Sequence, residues 1–89
     1  MTKDQLEGVL EGGGATKAGA DWRLPEGVGM TLHVSRGGTG LTVAKVETVR
    51  VDKALVVART TRGDSYAFDT ADVLAVQLEG GATSRRAGF

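Results

Sequence analysis

Residues 41–78 read LTVAKVETVRVDKALVVARTTRGDSYAFDTADVLAVQL and hold most of the chain's β-branched and aromatic residues. Such side chains lose rotamer freedom in a helix and pack well on a pleated surface, so this stretch specifies strands. Its alternation is informative because it fails. Leu41, Val43, Val49 and Val51 share one parity, but Lys45 and Glu47 would then point inward and Val46 outward. A one-residue slip moves every following side chain to the other face. Either a bulge near Lys45–Glu47 resets the phase, or a turn there divides the run into two strands.

The rest of the stretch is easier to parse. Residues 54–59 (ALVVAR) are apolar on both faces, as expected of a central strand. Residues 60–65 (TTRGDS) form a turn in which Gly63-Asp64 supplies the positive-φ position. Tyr66 and Phe68 alternate with Ala67 and Asp69 on the returning strand. Residues 69–72 (DTAD) read as one 3₁₀ turn capped by its aspartates. A last strand follows over residues 73–78, with Leu74, Val76 and Leu78 on one face.

Upstream, Met30, Leu32 and Val34 alternate with Thr31, His33 and Ser35 in another half-buried strand, and the RGGTG run after it is a turn. Residues 2–11 carry a helix signature: Thr2 as N-cap, Gln5 three residues on, and Leu6, Val9 and Leu10 at helical spacing. Gly8 and the short length weigh against a helix, leaving a short strand or a disordered tail as alternatives. Ten of the 14 glycines lie in the first 40 residues, and residues 12–29 have the composition of a connecting loop. Trp22 is expected to act as a lid on one end of the core.

Several short strands at roughly 8–12-residue spacing imply a mainly β fold, a small antiparallel barrel of about five strands with a short N-terminal helix. The expected division is an N-terminal segment and glycine-rich loop over residues 1–28, a barrel over 29–79 and a disordered tail over 80–89. The order hairpin, 3₁₀ turn, closing strand resembles the architecture of SH3-like and Sm-like small barrels. That likeness concerns architecture alone, and fold by itself licenses no function.

Composition narrows the function classes. Eleven basic and 11 acidic residues leave no net charge, whereas nucleic-acid and anionic-membrane binders usually carry a basic footprint. Neutrality also removes the repulsion that keeps small proteins apart. There is no cysteine, hence no disulfide framework or thiolate zinc site. No run approaches the ~18 apolar residues of a membrane span, and the N-terminus lacks the apolar core of a signal peptide, so a cytoplasmic location is expected.

Motifs that suggest chemistry have simpler explanations. His33 stands alone on a polar strand face, and Asp64, Asp69 and Asp72 gather where turns need caps. The GGGATK run at residues 12–17 and the GGTG run at 37–40 lack the strand–turn–helix context of phosphate loops. Arg62-Gly63-Asp64 spells an adhesion tripeptide but sits where a hairpin must turn. No catalytic group, cofactor or metal is expected.

The leading expectation is a non-enzymatic binding or assembly module that self-associates through a strand edge or a surplus apolar face. Trp22, Val46, Leu55, Val56 and Tyr66 are its expected contact residues. One alternative is a nucleic-acid-binding small barrel that uses Arg50, Arg59 and Arg62 beside Tyr66, with Arg85 and Arg86 from the tail. Another is a small-ligand or nucleotide sensor built on the glycine loops.

Overall fold

The structure is a computed structural model that describes residues 1–80. Helix α1 (Lys3–Gly12) is followed by β1 (Thr16–Ala18), β2 (Asp21–Arg23), β3 (Val28–Arg36), β4 (Thr39–Asp52), β5 (Leu55–Thr60) and β6 (Ser65–Asp69). A 3₁₀ turn at Thr70–Asp72 then leads into β7 (Val73–Gly80). The strands form one antiparallel sheet curled into a half-barrel. The expected disordered tail over residues 80–89 lies outside the described residues, apart from Gly80 at the end of β7.

The helix forms where its cap signals placed it. The Thr2 hydroxyl accepts from the Gln5 N–H at 3.1 Å, and the Gln5 side-chain oxygen accepts from the Thr2 N–H at 2.9 Å. Such a reciprocal cap is worth about 1 kcal/mol, offsetting much of the penalty of Gly8. Its buried face presents Leu6 and Leu10 to the core.

Strand β4 organises the sheet because it is long and bent. Along one side it pairs first with β3, up to Val46, and then with β2 over residues 48–50; along the other it pairs with β5. The bend has a residue-level cause. Between the pairs Met30–Val46 and Leu32–Val43, β4 holds two residues where β3 holds one, and Lys45 there takes the left-handed backbone, φ 58°. A second slip against β5 leaves Glu47 between the pairs Val46–Thr60 and Thr48–Arg59. The two slips turn Val43, Val46, Val49 and Val51 all inward, so the broken alternation reflects bulges within one continuous strand.

Residues 12–29, expected to be a loop, instead contain the β1–β2 hairpin. Where β3 diverges from the bent β4, the exposed backbone of β4 needs partners, and β2 supplies them. The Leu24 N–H donates to the Glu47 carbonyl at 3.0 Å at the junction. Trp22 and Leu24 are thereby drawn into the same core as Leu6 and Leu10.

The turns follow their chemistry. Gly37 and Gly38 both have positive φ between Arg36 and Thr39, the requirement of a type I′ hairpin. In the β5–β6 turn the Thr60 hydroxyl accepts from the Arg62 and Asp64 N–H groups, both at 3.3 Å, and Gly63 adopts φ 90°. The tripeptide Arg62-Gly63-Asp64 is therefore shaped by its turn. Asp69 is the N-cap residue of the 3₁₀ turn, but its side chain makes no cap hydrogen bond, contrary to the expected aspartate capping. The turn is held instead by the Thr70 N–H donating to the Ala54 carbonyl at 2.8 Å.

Strand β7 also departs from simple alternation. Its register against β3 shifts between the pairs Val34–Val73 and His33–Ala75, leaving Leu74 as an extra residue. Val73 is buried and Leu74 is 67% exposed, so the inward set is Val73, Val76 and Leu78 rather than Leu74, Val76 and Leu78.

Candidate functional site: strand edges and an outer sheet face

The expected contact residues divide between core and surface. Trp22, Val46 and Val56 are 6%, 0% and 0% exposed and belong to the hydrophobic core. Leu55 and Tyr66 are 45% and 37% exposed. Val46 is internal because the Lys45 bulge turns it inward, and Val56 because it pairs with Val51 on the core face. Trp22 is held against Val49 by the β2–β4 pairing, with the Lys17 ammonium 5.6 Å from its ring centre. Its indole N–H is buried without a partner among the described residues.

Three strands have an unpaired edge among the described residues: the three-residue β1, which carries Lys17, and the longer β6 and β7. Strand β6 bonds only to β5 and β7 only to β3, and the 3₁₀ turn joins them. Neither SYAFD nor VLAVQLEG contains Pro, Lys or Arg, the residues that commonly blunt an edge. These two edges each carry an exposed apolar side chain, Tyr66 on β6 and Leu74 on β7. Beside β7 a shallow groove of about 550 Å³ is lined by Met1, Gln5, Gly8, Val9, Val73 and Leu74. The N-terminal ammonium donates to the Val73 carbonyl at 3.0 Å, tying α1 to the start of that strand.

The arginines do not come together beside Tyr66. Residues opposed across a ladder share a face. Thr48 opposes Arg59, and Arg50 opposes Val57, which places both arginines on the outer face. Tyr66 opposes buried Ala58 and lies on the inner side of the edge strand. Arg62 instead joins Tyr66, Lys45, Thr42, Thr60 and Asp64 around a cleft of about 230 Å³. Among the described residues neither Lys45 nor Arg62 forms an ion pair. Arg50 approaches Asp21 at 3.6 Å, an exposed pair worth at most ~1 kcal/mol.

Two surface features were not anticipated from sequence. Leu74 is exposed because of a register slip, which nothing in VLAVQL signals. The Lys45 cleft arises from the β4 bend, whose position the failed alternation did mark. Among the described residues no three of His, Asp and Glu gather closely enough to hold a metal ion, and no helix is long and apolar enough to cross a membrane. Comparison with protein-family models, curated proteins and solved structures found no match for the chain.

Proposed function

We propose that this protein is a non-enzymatic assembly module that self-associates by strand-edge pairing, β6 of one copy against β7 of the next. The observation that carries the reading is the pair of unpaired edges without Pro, Lys or Arg. An open edge offers a row of backbone donors and acceptors to any extended partner, and a second copy brings the complementary edge. Such a contact is heterologous, so it makes rings if the rotation closes and filaments if it does not. The zero net charge supports association at neutral pH. The order of elements resembles SH3-like and Sm-like barrels, which is compatible with a binding role but does not specify one.

The test is the mass of the protein in solution. Light scattering on the wild-type chain is expected to give an assembly several times 9.2 kDa. Leu74→Lys, which sets a charge on the β7 edge, is expected to lower that mass while leaving circular dichroism unchanged. A wild-type monomer at high concentration would sink the reading.

A second reading has its own observation, the shared cleft of Lys45, Arg62 and Tyr66. Two unpaired cations beside an aromatic ring suit a single-stranded nucleic-acid backbone with a stacked base. Titration with mixed RNA and DNA oligonucleotides checks it. Affinity is expected to fall as salt rises, and Arg62→Ala is expected to weaken it and flatten the salt slope by about one. No binding at low salt would eliminate this alternative.

A further inference from the structure

We infer that the outer face of the β2–β4–β5–β6 sheet is an isologous docking surface for a second copy of this chain, built from rows of opposite charge at its two ends. The inference goes beyond strand-edge pairing and does not depend on it. Strand register defines three rows running across the sheet. At one end Arg23, Thr48, Arg59 and Ser65 lie side by side. The middle row is Asp21, Arg50, Val57 and Ala67, and the far row is Asp52, Leu55 and Asp69. One end is basic, the other acidic, and Leu55, Val57 and Ala67 put apolar surface between and beside them. Lys53 lies beyond the acidic row, at the tip of the β4–β5 turn.

A face polarised in this way is complementary to itself. A two-fold axis lying in the face and running along the middle row would invert the strand direction and place the basic row of one copy over the acidic row of the other. Arg59 would then stand over the partner copy's Leu55, flanked by Asp52 and Asp69. Each aspartate is one strand away, a spacing of about 4.8 Å. Symmetry makes this contact twice. On the axis Val57 meets Val57 and Ala67 meets Ala67. The two Arg50 side chains also approach each other there, and each already has Asp21 at 3.6 Å. These rows carry three arginines and three aspartates, so the docked faces bring together no net charge.

The argument that the occupant is a second copy is this match of charge with itself. Leu55 at 45% exposure and the half-buried Val57 are the apolar side chains it would cover.

The experiment is sedimentation equilibrium on the Leu74→Lys chain, with and without changes on the face. Leu74→Lys alone is expected to remain a dimer of 9.2 kDa chains. Adding Arg59→Asp is expected to raise the dimer's dissociation constant by about 10- to 100-fold, since two charged contacts become repulsive. Asp52→Arg with Asp69→Arg in the same background should do likewise. Mixing the two defective proteins should restore a dimer, because each then offers the charge the other lacks. Circular dichroism and the emission of buried Trp22 establish that both variants remain folded. A Leu74→Lys monomer, a dimer unaffected by Arg59→Asp, or a mixture that stays monomeric would each overturn the proposal. A wild-type mass that Leu74→Lys leaves unchanged but Arg59→Asp lowers would support the face and sink the edge reading.

Discussion

Replacing Trp22 by Ala should cost the protein about 3 kcal/mol or more, enough to remove a large part of its stability. A folded chain of this size is stable by only about 4–13 kcal/mol. Trp22 is 6% exposed and packs with Val49, Leu24 and the helix residues Leu6 and Leu10 in one cluster. Truncation would therefore leave a cavity beneath the hairpin and loosen the hold of the first 24 residues on the barrel. One feature moderates the loss. The indole N–H is buried without a partner among the described residues, and leaving such a donor unpaired costs about 1–3 kcal/mol. Trp22→Phe removes that unmet donor while keeping a ring under Lys17, so it should cost much less than Ala. Urea unfolding followed by circular dichroism measures both. An Ala variant as stable as the wild type would mean that Trp22 is a surface residue in solution.

The same experiment bears on the N-terminal segment as a structural unit. Leu6 and Leu10 are fully buried, and the ammonium of Met1 donates to Val73 in the last strand. Residues 1–24 thus contribute helix and hairpin to one core with the later strands. The exposed face has its own logic, because the side chains that remain outside on β5 alternate with the buried ones: Leu55, Val57 and Arg59 out, Val56, Ala58 and Thr60 in. Contact residues therefore have to be sought among the first set.

Much of this fold was legible from the residues, and the limits have physical causes. The cap at Thr2 and Gln5 and the glycine hairpin at residues 37–38 are local. Short-range chemistry fixes them, so a sequence displays them. The β1–β2 hairpin was hidden because it forms in answer to a vacancy left by the bend of β4, a long-range cause. Val46 and Val56 are expected contacts because their strands read as apolar on both faces, and Trp22 because its surroundings read as a loop. The bulges rotate part of that surplus inward, Val46 included, while Leu55 and Val57 stay on the outer face. At Leu74 the slip acts in the opposite direction and turns an apolar residue out. Sequence pattern reports that a phase has broken, but which residue takes the extra place depends on the partner strand.

Val46 gives the most severe test of that account. Between Lys45 and Glu47, strict alternation would face it to solvent, where an aspartate would change stability by no more than about 0.5 kcal/mol. In the structure its side chain is fully buried between Met30 on β3 and Thr60 on β5. An aspartate there would be a buried charge without a partner, with a cost above about 4 kcal/mol. That approaches the whole stability of the domain, so Val46→Asp is expected to be unfolded or recovered only as aggregate. Val46→Ala should fold with a loss of about 2 kcal/mol, from the methyl groups removed and the cavity left. Ala44→Asp, two positions earlier on the exposed side of the bulge, should be nearly neutral. Thermal and urea unfolding of the three variants compares them directly. The contrast between positions 44 and 46 depends on the left-handed Lys45 between them. If Val46→Asp folds as well as Ala44→Asp does, the bulge is misplaced and with it the bend that joins the two halves of the sheet.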